Sequence, residues 1–196
     1  MWGDTLRPSG LELTLKALDL CSFPPKAKIA DLACGYGATL ELLTGLGFEA
    51  VGLDLSTERL AAAAARGKVI QGDFHRLPWL DASFDGLICE CSLSLAQDPV
   101  LVLRECFRVL KTKGRLIVSD LAGAGDELEK LLRQGGFEIR HHSDHSRALR
   151  ELAAKLVWHL GSAEEVKKIL GPDCREGHKQ CGYSLIVAQK EGLASD

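Results

Sequence analysis

The sequence predicts an α/β fold in which a mostly parallel sheet is covered by helices on both faces. Three observations predict it. Strand-length apolar runs alternate with helix-length amphipathic segments across residues 26–142. The first run, Ile29–Leu32, enters a glycine turn, Ala33-Cys34-Gly35-Tyr36-Gly37, that opens a helix. The second run, Ala50–Leu53, ends on an acid, Asp54. Strand, glycine turn, helix, strand and acid form half of a nucleotide-binding unit. Gly35 and Gly37 let backbone approach a ligand, the helix start offers free N–H groups, and Asp54 can accept from ribose hydroxyls.

The elements follow in order. A polar lead-in precedes a helix over Leu11–Leu20, with Leu11, Leu15, Leu18 and Cys21 on one face, stopped by Phe23-Pro24-Pro25. After the first strand, a helix spans Ala38–Leu46 and Gly47 breaks it. Ser56 caps a helix through the Ala61–Ala65 run. Val69–Gln71 is a short strand closing on Gly72-Asp73-Phe74, and Phe84–Cys89 is the next strand. Asp98-Pro99 starts a helix with buried Leu103, Cys106, Phe107 and Leu110, stopped by Lys113-Gly114. Arg115–Val118 is a strand ending at Ser119-Asp120. A helix over Asp126–Gln134, capped by Gly135-Gly136, leads to a strand at Phe137–His141. A helix from Ser146 to Leu160, a second from Ser162 to Gly171-Pro172, and a last strand, Tyr183–Ala188, complete the chain.

At 196 residues the chain is one domain by length, with an ordinary 46% apolar and 26% charged composition. A net charge near −3 gives no broad footprint for duplex nucleic acid. No apolar run reaches membrane-spanning length, and the N-terminus has no secretory pattern. Seven cysteines, an odd count with several in core-like runs, read as reduced thiols of a cytoplasmic protein.

Five segments stand in a fixed order: DLACGYG at Asp31–Gly37, GLDLS around Asp54, GDFHRLP at Gly72–Pro78, FDGLIC at Phe84–Cys89, and RVLKTKGRLIVSD at Arg108–Asp120. This series, over residues 26–142, resembles the class I S-adenosylmethionine-dependent methyltransferases, in particular the small branch related to the quinone-biosynthesis (UbiE-like) enzymes. The resemblance implies a three-layer Rossmann-like sheet of seven strands, the last antiparallel, with extra helices inserted before that last strand. It implies S-adenosylmethionine as cofactor and in-line transfer of its methyl group to an acceptor, most simply a small molecule. A dinucleotide is the competing ligand, but its fingerprint needs a third small residue where this chain has Leu40.

The resemblance also assigns residues. Asp54 meets the ribose hydroxyls, Asp73 the adenine amino group, Phe74 gives a backbone N–H to the ring, and Leu55 packs on the adenine face. Ala33, Cys34, Gly35 and Gly37 line the turn. Asp31 either holds turn amides or helps position the methionine moiety. Glu90 is also a cofactor-binding candidate, and Glu90 and Cys91 follow a central strand, where such folds place substrate-facing groups. Glu90 is the first candidate base and His75 the second, needed only for an acceptor that must lose a proton. The expected organisation is a single domain over 1–196: an N-terminal helix (1–25), a cofactor-binding core (26–142), a helical insertion that is a candidate substrate lid (143–181), and a last strand with tail (182–196). In that lid Lys155, Trp158 and His159 are candidate acceptor contacts.

No resident metal is expected. His141-His142 with His145 looks like a cluster, but adjacent strand residues point to opposite faces. Cys174, His178 and Cys181 share a polar loop without a clear fourth ligand. Two alternatives stand beside methyl transfer: a regulatory or assembly protein that binds the cofactor without transferring, and a metalloid methyltransferase assisted by Cys91, Cys174 and Cys181. A monomer or homodimer is compatible with all three.

Overall fold

The computed structural model describes residues 7–122, 127–162, 166 and 182–192. Seven strands form one sheet: β1 (Lys28–Leu32), β2 (Glu49–Asp54), β3 (Lys68–Gln71), β4 (Phe84–Glu90), β5 (Leu110–Ala122), β6 (Phe137–Asp144) and β7 (Gly182–Lys190), in the order β3-β2-β1-β4-β5-β7-β6. Strands β1 to β5 pair in parallel, and β7 runs antiparallel between β5 and β6. The expected seven-stranded sheet with its antiparallel last strand is therefore present. The central strands are buried along nearly their whole length, as continuous apolar runs covered on both faces must be.

Among the described residues six α-helices cover the sheet: α1 (Leu11–Cys21), α2 (Ala38–Gly45), α3 (Thr57–Ala63), α4 (Pro99–Val109), α5 (Glu127–Gln134) and α6 (Ser146–Leu160). One core joins Leu103 and Cys106 of α4 and Leu132 of α5 to Leu87, Leu116 and Ile186 of the sheet. The other joins Leu13 and Ala17 of α1, Leu43 of α2 and Leu149 of α6 to Ile88, Ile117 and Leu185. Ser56 caps α3 by accepting from the Arg59 N–H, and Asp98 caps α4 by accepting from the Leu101 N–H.

Two local expectations change. The buried face of α1 is Leu13, Thr14, Ala17, Leu18 and Cys21, while Leu15 is exposed. A polar Thr14 inside the buried stripe rotates the helix away from the face its leucines define. Helix α4 stops at Val109, because Leu110 already pairs with Phe84 and Lys190 Nζ takes the Phe107 and Leu110 carbonyls at 2.7 and 2.8 Å. Lys113-Gly114 is consequently a bend inside β5, with Lys113 left-handed at φ 65°. In α6 only Leu149 and Leu156 are buried, and Leu160 is exposed. The expected helix from Ser162 to Gly171 and the loop carrying Cys174, His178 and Cys181 lie outside the described residues, Ser162 and Val166 apart.

Leu40 shows how helix and strand approach without the dinucleotide pattern. It is fully buried, and a Cβ at Gly52 or Gly67 would lie 3.2 or 2.9 Å from its side chain. The room comes from glycines on neighbouring elements. A Cβ at Gly52 would also sit 2.7 Å from Cys34 Sγ. Gly52→Ala is accordingly expected to cost about 1–3 kcal/mol through overpacking. In a domain of this size that lowers the melting midpoint by roughly 3–10 °C. Thermal unfolding followed by circular dichroism measures it, and an unchanged midpoint would mean the contact relaxes freely.

Candidate active site

In this strand order the chain leaves β1 toward one edge of the sheet and β4 toward the other, so a crevice opens at the carboxyl ends of these two neighbours. Both ends turn through the left-handed region on residues other than glycine: Ala33 at φ 55° and Cys91 at φ 51°. Such backbone costs about 1–3 kcal/mol and persists only where its surroundings enforce it. Here Cys34 N–H bonds Leu53 O at 2.9 Å and Cys91 N–H bonds Ser119 O at 2.8 Å.

Asp54, at the end of β2, is buried and spans the turn. Its Oδ2 accepts from Gly35 N–H at 2.9 Å and its Oδ1 from Ser56 N–H at 2.9 Å. Each oxygen keeps a further lone pair, so the carboxylate can still bind a pair of hydroxyls. The two turn glycines do different work. A Cβ on Gly35 would meet nothing within 4 Å, whereas one on Gly37 would lie 2.9 Å from Ala63 Cβ. Both are left-handed, at φ 54° and 82°; Gly35 faces open space, and Gly37 is fixed by α3 as well.

Asp31 is the most unusual group. It is buried, and its Oδ2 has no hydrogen-bond partner. Burial, with Glu90 adding to it and Arg7 opposing it, pushes its carboxyl well above the ordinary carboxylate range. Glu90 is almost wholly enclosed but fully partnered. Arg7 Nη1 pairs with its Oε2, Thr39 Oγ1 donates to Oε2 at 2.9 Å, and Thr14 Oγ1 donates to Oε1 at 2.8 Å. Ser119 Oγ adds a longer contact at 3.4 Å.

At the end of β3, Asp73 is about half exposed and binds its own turn: Oδ1 takes the His75 N–H at 2.9 Å and lies 2.7 Å from His75 Nδ1. The His75 backbone N–H first, and its ring second, hold the Asp73 carboxyl below its ordinary range. Phe74 packs edge-on to His75 and against the core, and Leu55 is 61% exposed beside Asp54. His75 Nε2 faces the Asp98 N–H at 3.4 Å. As general bases, then, both candidates have their acceptor atoms engaged.

Cys91 Sγ lies 3.1 Å from the Tyr183 hydroxyl, and burial pushes its thiol up to about 12. A thiol so far above neutrality stays protonated, which opposes a thiolate role for Cys91. Trp158 is 86% exposed, Lys155 and His159 are exposed, and His159 Nδ1 contacts the Lys155 carbonyl at 2.9 Å. These three lie on solvent-facing parts of α6. His141 and His142 fall on opposite faces of β6, with His142 on Glu129 and Ser184 and His141 on Ser143. Among the described residues no three His, Cys, Asp or Glu side chains could share a metal ion.

Sequence reasoning missed Arg7, Thr14, Thr39 and Asp120. Asp120, buried at the end of β5, accepts from Ser92 N–H and Ser94 N–H, each at 3.0 Å, and from Ser94 Oγ at 2.6 Å. It fixes the short 3-10 turn Leu93–Leu95 that continues from Cys91. An acid at a strand end was the available signal for Asp120. Arg7 stood in a polar lead-in and gave none.

A family model described as a methyltransferase domain matches residues 30–118. Demethylmenaquinone methyltransferase of Thermotoga maritima is 42% identical over 99 residues, 48% of this chain and 43% of that enzyme. The chain spans about half the length of the curated relatives it matches. Among solved structures, the [4+2]-cyclase SpnF superposes with a TM-score of 0.76 at 24% identity, over 97% of this chain and 86% of that one. Phosphoethanolamine N-methyltransferase 2 of Haemonchus contortus, in complex with S-adenosylmethionine, gives 0.76 at 14% identity, over 97% and 55%. The residues present suit that cofactor: a buried carboxylate oxygen without a partner for its cationic end, Asp54 for a diol, and open space beside Gly35. Residues 30–118 thus match a methyltransferase domain, and this segment is similar to the S-adenosylmethionine-dependent methyltransferases of quinone biosynthesis.

Proposed function

We propose that the protein transfers the methyl group of S-adenosylmethionine to a small-molecule acceptor, with a quinone-type ring as the first class to test. The observation that carries the reading is Asp54, buried yet with free lone pairs, bridging the Gly35 turn at the β1–β4 crevice. When bound, the cofactor supplies a methyl group already activated by its sulfonium. The protein has mainly to align an acceptor with it. In this reading Asp54 holds the ribose, Asp73 and the Phe74 N–H read the adenine edge, and Leu55 covers its face. Ala33, Cys34, Gly35 and Gly37 shape the turn, and Asp31 takes the methionine end. The turn after Glu90 and Cys91, anchored by Asp120, borders the acceptor. Helix α6 would cover that acceptor through Lys155, Trp158 and His159 only if its solvent face turns inward. Glu90 serves here as an ion-pair partner of Arg7 rather than as a base, so acceptors that are already nucleophilic are favoured.

A second reading, cofactor binding without transfer, draws support from one observation: Glu90 and His75 are both held by other groups. Calorimetry with S-adenosylmethionine is expected to give a Kd below millimolar. Incubation of the labelled cofactor with small quinols, thiols and amines is then expected to yield S-adenosylhomocysteine with at least one acceptor class. Binding weaker than millimolar would sink both readings. Tight binding with no turnover on any class would leave only the second.

A further inference from the structure

We propose that a cavity at the amino ends of β1, β2 and β3 is a binding site for a flat aromatic monoanion. It lies at the opposite end of these strands from the crevice, and it stands or falls independently of the cofactor reading.

The cavity follows from how the chain returns from β3 to β4. Both strands belong to the parallel part of the sheet, so residues 72–83 must cross its full length. Among the described residues this crossover contains no helix. An extended chain is narrower than a helix, whose diameter with side chains is about 10 Å. The face of β2 and β3 beneath it is consequently covered only in part, and a cavity of about 310 Å³ remains. Small-ligand sites span about 300–1,000 Å³.

Strand alternation sets the lining. Lys28 pairs with Glu49, Val51 with Lys68 and Leu53 with Ile70, so these side chains share the face that carries Val51 and Leu53 of the α4 core. Val51 and Ile70 form an aliphatic floor. Phe84 and Trp79 form an aromatic wall, edge to face with ring centroids 4.7 Å apart. The wall is fixed from outside: Arg108 donates to the Trp79 carbonyl at 2.7 Å and to the Leu77 carbonyl at 3.1 Å. A site already held open gives up little freedom on binding.

Charge selects the occupant. Lys28, Lys68 and Glu49 stand exposed at the mouth. Lys28 Nζ lies 4.9 Å from the centroid of the Phe84 ring, beside the aromatic wall. Among the described residues no carboxylate forms an ion pair with either ammonium; Asp85, which accepts from the Lys28 backbone N–H, is paired with Lys111. Two ammoniums against one carboxylate leave one positive charge in excess. A monoanion balances it, whereas a second negative charge would meet Glu49. The floor and wall take a ring face, as aromatic side chains do in packed sites. The length of β2 from Glu49 to Asp54, roughly 16 Å at about 3.3 Å per residue, separates this mouth from the crevice.

The test titrates the full chain with 2-naphthoate by calorimetry at neutral pH. Binding is expected with a Kd below about 1 mM. The neutral 2-naphthamide, of the same shape, and octanoate, of the same charge without the ring, are each expected to bind roughly tenfold or more weakly. Lys28→Met/Lys68→Met is expected to weaken 2-naphthoate roughly tenfold or more, with the melting midpoint kept because both lysines are exposed. No binding at millimolar ligand, an amide or octanoate that binds as tightly, or a double variant with unchanged affinity overturns the inference. Each lysine is also replaced alone, so that a folding defect in the double variant leaves the single variants to decide.

Discussion

Isothermal titration of Asp54→Ala with S-adenosylmethionine is expected to show affinity reduced by about 10- to 150-fold, the loss of about 1.5–3 kcal/mol that hydrogen bonds to a charged acceptor contribute. The expectation follows from where the carboxylate sits. It is buried, so its bonds to a diol form away from competing water. It also holds the turn, through Gly35 N–H and Ser56 N–H at 2.9 Å each. Alanine therefore removes the diol's acceptor and frees the two N–H groups that shape the cradle, and both effects act against binding. Asp54→Asn is not a mild substitute, since its amide NH2 would have to face one of those two N–H donors. A melting curve for each variant separates loss of fold from loss of site. A folded Asp54→Ala protein with unaltered affinity would remove the ribose assignment.

What the sequence made legible were features that one residue type imposes locally. The alternation of apolar runs and helix caps fixed the element order. Asp98-Pro99 and Ser56 start their helices as such residues do, because a capping side chain needs only its own turn. Asp54 and the Gly35 turn were visible for the same reason: the strand-turn-helix geometry leaves few other residues able to serve. Pairings across the chain were not legible. Arg7 meets Glu90 across 83 positions, and nothing in a polar lead-in marks one arginine as buried. That pairing is also why the leucine stripe misplaced the face of α1: Thr14 turns inward to reach Glu90, and Leu15 is left outside. Leu40 was read as too large for a dinucleotide turn, and it is fully buried in the fold. The compensating glycines, Gly52 and Gly67, become visible only once three elements are brought together.

The same pairing makes Glu90→Ala the substitution with the largest expected cost in stability. Truncation leaves the Arg7 guanidinium enclosed without its anion, and breaking a buried pair from one side typically costs about 3–5 kcal/mol. For a domain of this size the melting midpoint would fall by roughly 6–20 °C. The lower end applies if the segment carrying Arg7 swings into water when its partner is gone. Arg7→Met asks the complementary question. It leaves Glu90 and Asp31 side by side without the guanidinium that reaches them, and is expected to cost as much or more. The double variant Arg7→Met/Glu90→Ala removes both charges at once, so its cost is expected to fall well short of the sum of the single losses. Guanidinium titrations of the four proteins give the coupling directly. Additive losses, or a Glu90→Ala midpoint within a degree of the parent, would mean that the pair is solvated and contributes little. A large coupling would show that the end of β4 is held by the N-terminal segment, and that Glu90 earns its buried position through Arg7 rather than by taking protons from an acceptor.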